Sequence, residues 1–347
     1  MFSTFQNNDC IFLLKDLTGI IPFTSFEQKE AMIAAGLSYS EMITMETAIS
    51  KDIDELFIHI LEQNASVLAS CVGRISETIY NKGKENSVIV SLARAGSPIG
   101  ALIRRYIRWK YNVALPHYSI SIIRGKGIDE VALDYIVKAH PNGILSFVDG
   151  WTGKGSITME LNKAVSRFNI NHSTSISTDL AVLADPAALC LVCGTREDIC
   201  IPNACLNSTV SGLVSRTIHN ETYCHPGEFH GAVVFKDLQP FDRTNLFIDT
   251  IASHFSEENA ITELPTISNV QTILERIQYD FHVSDVNKIK LSIGESSRAL
   301  IRRKPKKILV KNPMNPNLAF IRHMASIKNI DVTVYDTMDY ECITIIN

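Results

Sequence analysis

The sequence predicts an α/β protein. A parallel sheet has helices on both faces, an N-terminal helical extension precedes it, and a small C-terminal α/β domain follows. Three observations predict this. From residue 88 to about 195, apolar runs of strand length alternate with segments of helical periodicity, as strands joined by crossover helices require. Two of those strands run directly into Gly-rich polar loops that open helices. From about residue 288 the composition turns basic, and a further strand–helix–strand pattern follows.

Within the 347 residues the expected division is 1–87 for the extension, 88–255 for the sheet domain with a hood, 256–275 for a linker and 276–347 for the C-terminal domain. The extension carries a helix from about Asp52 to Tyr80, where Leu56, Ile60, Leu68, Val72, Ile75 and Ile79 fall at three- and four-residue steps. Asp52 and Glu55 suit its start, and Asn81-Lys82-Gly83-Lys84 stops it. Strands follow at 88–92, 118–123, 144–148, 180–184 and 189–193, with helices after the first three. In an open sheet of this kind ligands lie beyond the carboxyl ends of the strands. Both Gly-rich loops, and Asp185-Pro186, fall at that edge.

The two loops carry the strongest chemical signal. Ile144 to Val148 is a buried strand that ends in Asp149, then Gly150-Trp151-Thr152-Gly153-Lys154-Gly155-Ser156 opens a helix. Such a loop aims amides and the positive end of a helix at one point, a cradle for an anion. It lacks the G-x-x-x-x-G-K-[ST] spacing of a P-loop. Upstream, Val88 to Leu92 runs into Ala93-Arg94-Ala95-Gly96 and a second helix. Arg suits an oxyanion because its planar fork is always charged. Arg124-Gly125-Lys126-Gly127 supplies a flexible basic loop between them.

These loops resemble the signatures of type I phosphoribosyltransferases, with Gly150 where many members carry a second acid. The resemblance implies a type I phosphoribosyltransferase-like sheet, Mg²⁺ as cofactor, a ribose-phosphate or pyrophosphate donor such as phosphoribosyl pyrophosphate, and transfer or cleavage at the ribose C1 to an unidentified acceptor. Asp149, Arg94, Arg124 and Lys126 would be catalytic. Gly150, Thr152, Gly153, Lys154, Gly155, Ser156, Ala95 and Gly96 would hold the phosphate and ribose.

The polar stretch 196–230 suits a hood over that edge. It contains Cys205, Asn207, Arg216 and His230, expected to choose the acceptor or to form an alternative thiol site. A thiol protease needs a Cys, a His base and an orienting Asn or Asp, and Cys205, His230 and Asn207 or Asp237 supply the types. Neither a papain-like nor a caspase-like local signature is present. Eight Cys in a chain without a signal peptide suggest free thiols in the cytoplasm, with zinc at the cluster Cys190 to Cys224 as the sharper alternative.

A net charge of −4 excludes a polycation, so nucleic-acid binding requires a local patch. Arg298, Arg302, Arg303 and Lys304 supply one, extended by Lys306 and Lys307. The tail resembles the Pelota-type RNA-binding domain, with Gly294-Glu295 at its start and Arg302-Arg303-Lys304-Pro305 as its stop. That resemblance implies RNA as a partner. A phosphoribosyltransferase-like sheet with a Pelota-like tail resembles the bacterial StiP family and the transferases of tellurium-resistance and stress gene clusters. Ala93 to Gly96, Val148 to Gly155, Ala204 to Thr209 and Phe229-His230-Gly231 carry that likeness. The family implies a nucleoside-type stress metabolite; its name implies a cysteine protease, and Gly150 in place of a second acid leaves a non-catalytic nucleotide- or RNA-binding regulator as a further alternative. Apolar runs fall short of the ~18 residues of a membrane span, so no membrane partner is expected. A homodimer stays open.

Overall fold

Six parallel strands form the main sheet of the computed structural model, which describes residues 3–6, 8–257 and 270–347. They are β1 (Ile11–Phe12), β2 (Ser87–Ala93), β3 (His117–Ile123), β4 (Ile144–Trp151), β5 (Leu180–Ala184) and β6 (Val192–Thr195), in the spatial order β1-β3-β2-β4-β5-β6. Gly127–Ile128 adds a short antiparallel strand on β3. Ile89 faces one apolar layer, and Val88, Val90 and Leu92 face the other. Alternation along β2 therefore buries both faces, and the strand reads as a continuous apolar run.

One face is covered by α1 (Lys51–Gly83), α2 (Ser97–Tyr111) and α5 (Thr244–Ala252), the other by α3 (Glu130–Ala139) and α4 (Ser156–His172). The α1 segment is the one helix among the described residues long and apolar enough, by length and composition, to cross a membrane. In the fold its stripe of Phe57, Leu61, Leu68, Val72, Ile75 and Ile79 packs on the sheet. Its N-cap is Ser50, and Asp52 instead meets His323 of the C-terminal unit at 2.7 Å.

Several expectations change here. The first 87 residues are not only helical, because β1 pairs with β3 and completes the sheet. The last strand of the sheet starts at Val192, not 189, because the amides of Leu189 and Cys190 donate to the Asp185 carboxylate and hold a turn. Helix α6 (Val270–Phe281) starts inside the expected 256–275 linker, and residues 258–269 lie outside the described residues.

The C-terminal unit has strands β7 (Ile289–Leu291), β8 (Pro305–Val310), β9 (Val332–Val334) and β10 (Cys342–Ile346), in the order β7-β10-β8-β9. Helices α7 (Ser292–Arg302) and α8 (Ala319–Ile327) join α6 there. The chain's last strand, β10, is thus interior: it pairs antiparallel with both neighbours and buries Cys342 to Ile345.

The two units share a core. Ile60, Cys200 and Cys205 of the first pack in one apolar cluster with Ile293, Leu300, Phe320 and Ile321 of the second. Asp198, 8% exposed, clasps the seam by accepting from the amides of Ile293 at 2.9 Å and Glu341 at 3.0 Å. Burial raises its pKa to about 7 against those amides, which hold it down. An acid that binds its proton more tightly folded than unfolded stabilises the fold fully below about pH 4, and that contribution is lost as pH rises through about 7. Stability should therefore fall between about pH 4 and pH 7 and level off above. Asp198→Asn should flatten that fall while lowering stability by about 1–2 kcal/mol through a weakened acceptor. Urea unfolding across this pH range checks both.

Candidate active site between the two units

At the carboxyl edge of the sheet, α7 reaches the Lys154 loop and the hood residues Asn203 and Asn207. Arg94 follows β2, and Gly96 caps α2 with Pro98 in its first turn. Gly96 must be glycine, since a Cβ there would sit 2.3 Å from the Val148 carbonyl oxygen. From the hood, the short 3₁₀ turn Pro202–Ala204 presents Cys205, and Ser208–Val210 forms a second turn. From α7 come Arg298 and Arg302.

These elements enclose a cavity of about 650 Å³. Arg94, Arg216, Arg302, Asn207, Thr209, Glu46 and Cys205 line it. Arg94 donates to the Val214 carbonyl at 2.8 Å and to Glu46 at 2.6 Å, and the second Glu46 oxygen accepts from the Ser208 amide at 2.9 Å. Burial pushes the Glu46 carboxyl up, but Arg94 and Ser208 outweigh it and leave it below the usual carboxylate range. Arg302 donates to Asn207 at 2.8 Å. Arg298 sits behind, its guanidinium 5.3 Å from the Trp151 ring and donating to the Asn203 carbonyl at 3.0 Å. Arg216 lies over the Tyr39 ring and donates to the Met42 carbonyl. Burial pushes Arg216 and Arg298 down to about 10, so both stay charged at neutral pH.

The expected thiol pair does not form. Cys205 Sγ lies 3.9 Å from Cys200 Sγ, and His230 bonds Ser121 at 2.9 Å, stacks on His219 and donates its amide to Asp129. Burial drives His230 down to about 3, so the ring is neutral. Burial, with Cys200, pushes the Cys205 thiol well up, and Arg298 opposes.

The expected anion cradle is already filled. The Lys154 amide donates to the Glu295 carboxylate of α7 at 3.3 Å, Lys154 Nζ to the Val286 carbonyl at 2.7 Å, and the Tyr340 hydroxyl to the Gly153 carbonyl at 3.2 Å. A Cβ on Gly153 would lie 2.3 Å from Glu295, so no phosphate fits between them. The Thr152 hydroxyl donates to Asp185, which also binds Arg196. Arg124 holds Asn287 of the C-terminal unit, and Lys126 holds Glu41 and the His219 carbonyl. Asp149, raised by burial to about 6, accepts from the next amide, Gly150. Ala95 is tied by its carbonyl to Asn203. Gly150 lies within β4, which runs on through Trp151 beyond the expected strand end, while Gly155 caps α4 and Ser156 opens it. Among the described residues no three His, Cys, Asp or Glu converge on a metal site, and all eight cysteines are free.

The expected RNA patch is divided. Arg298 turns inward onto the Asn203 carbonyl behind the cavity, Arg302 and Arg303 lie in its lining, and Lys304 is exposed outside it. Sequence reasoning missed Glu46 and Asn203, which carry no periodic or motif signal.

Residues 3–252 match the family described as tellurite-like stress resistance cysteine protease StiP, and residues 268–347 match the PELOTA RNA binding domain. A protein of Acinetobacter baylyi called cysteine protease StiP is 32% identical over 362 residues, covering 99% of this chain and 93% of that protein. These findings overturn the expected phosphoribosyltransferase activity and its phosphoribosyl pyrophosphate donor: both matches carry a cysteine protease name. The filled Thr152–Ser156 loop is the physical counterpart of that correction.

A buried, protonated thiol resists alkylation. Iodoacetamide at about pH 7.5 should leave Cys205 unmodified in the folded protein and modify it after denaturation, as peptide mass spectrometry would read.

Proposed function

This chain belongs to the StiP family, and from that premise we propose that it is a thiol-dependent hydrolase whose reaction centre is Cys205. One observation carries the reading: among the described residues, Cys205 is the cysteine that lines the 650 Å³ cavity between the units. In the reaction the Cys205 sulfur attacks the scissile carbonyl carbon. A thioester forms, the leaving group departs with the thiol proton, and water then splits the thioester and restores the thiol. Arg298 supplies the positive charge that favours the thiolate, against the burial that disfavours it. The transferred proton does not pass through His230, whose ring bonds Ser121 outside the cavity lining.

The scaffold is read as phosphoribosyltransferase-like without transferase chemistry. The parallel strand order, and the two loops that open at Arg94 and Thr152 on its carboxyl edge, support this.

A second reading concerns the C-terminal unit, for which the PELOTA match favours RNA binding. Arg303, Lys304, Lys306 and Lys311 are exposed there, as contacts to a phosphate backbone require.

Cys205→Ala should lower kcat/KM for a cleaved peptide by about 10³-fold or more, while His230→Gln should change it by less than about threefold. Equal loss in both variants would return His230 to the reaction. For RNA, fluorescence anisotropy with a labelled single strand should show affinity falling steeply with salt, and Lys304→Gln with Lys306→Gln should reduce the logarithmic salt slope by about 1–2.

A further inference from the structure

The lining of the cavity between the units is strongly basic. Lys29, Arg94, Arg216, Arg302, Arg303 and Lys328 line it, and among the described residues Glu46 is the one carboxylate in the lining. Like charges drawn together in a partly buried space repel, and an anionic occupant relieves that repulsion. Polar atoms in the lining also lack partners. Arg94 is 6% exposed and its Nε has no hydrogen bond, Thr209 is 3% exposed and its hydroxyl has none, and Arg216 Nη1 has none. Buried donors without acceptors are uncommon in folded proteins, and each is costly.

Glu46 shows what this wall accepts. It comes from the stretch Met45 to Ser50, which has no regular secondary structure and all six residues of which line the cavity. Its carboxylate bridges the Arg94 guanidinium and the Ser208 amide. An acidic side chain from an irregular segment is thus already docked at one pole, and Arg216 Nη1 and the Thr209 hydroxyl remain as donors without an acceptor.

The remaining wall separates a peptide from a phosphate polyanion. Ile49, Ile53, Leu206, Ile301, Phe320 and Met324 line it. A polyphosphate has no apolar group and a sugar-phosphate backbone no large aliphatic side chain to set against such a surface, whereas a peptide presents acidic and apolar side chains together.

We propose that the cavity takes an acidic peptide: an Asp or Glu side chain docks on the arginine wall and an adjacent large apolar side chain packs on the Ile49–Phe320 wall, beside Cys205. This deepens the hydrolase reading by naming its substrate class. For binding alone it does not depend on that reading.

The test uses the full-length chain and short blocked peptides that place Glu beside Leu, each matched to a copy with Gln in place of Glu. Binding is measured calorimetrically on Cys205→Ala, and cleavage on the wild type. The expected result is a Glu-over-Gln preference of roughly tenfold or more in binding, the scale of one charge-assisted hydrogen bond. Arg216→Gln should shrink that preference, and Arg302→Gln serves as the second variant if the first fails to fold. A Glu preference in binding without cleavage by the wild type supports this inference and sinks the hydrolase reading. Cleavage of both peptides at equal kcat/KM keeps the hydrolase and overturns the inference. Binding of neither peptide, or displacement of the Glu peptide by a single-stranded RNA that binds more tightly and loses affinity in Arg216→Gln, also overturns it.

Discussion

Everything at the candidate site depends on the docking of α7 against the carboxyl edge of the main sheet. A parallel sheet exposes a row of strand ends and loops on that edge, where ligands enter. Here the C-terminal unit covers it. Apolar contact between Ile60, Cys200 and Cys205 on one side and Ile293, Leu300 and Phe320 on the other drives the docking, and Asp198 clasps its centre. The edge becomes two different places: a filled loop where Glu295 meets Lys154, and an open cavity where Arg302 meets Asn207.

The same docking sets the electrostatics. Removing water from around Arg216 and Arg298 lowers their pKa values yet leaves them charged, because a guanidinium starts so high. A thiol starts near neutrality, so the same loss of water moves Cys205 out of reach of ionisation in the resting site. Burial thus preserves cations and suppresses the anion. An anionic occupant would be attracted by the first effect, and a nucleophile must overcome the second. Arg298 links the two, since it feels Arg94, Asp149, Glu46 and Cys205 together.

The resemblance between the Asp149–Ser156 loop and a phosphate cradle holds locally. β4 carries Asp149 to Trp151, the loop follows from Thr152, Gly155 takes a positive φ and α4 begins at Ser156. What defeats the inference is long-range: the amide of Lys154 already has a carboxylate, delivered from about 140 residues further along the chain. A helix N-terminus draws negative charge, and here the protein supplies its own.

The sequence by itself determined the alternation of strands and helices from Ser87 to Ala184, because burial on both faces makes each strand a continuous apolar run and each helix a three- and four-step stripe. It also marked Arg94, Asp149, Cys205 and Arg298 as residues set at loops or on one helix face. Tertiary structure alone decided which of them meet. Glu46 reaches Arg94 across 48 positions and Arg302 reaches Asn207 across 95, and no local period records such a contact. His230 fell away from Cys205 for the same reason: its partner, Ser121, lies on a strand 109 residues earlier. The interior place of β10 was equally hidden, since a run of five residues shows its burial only once β7 and β8 lie on either side.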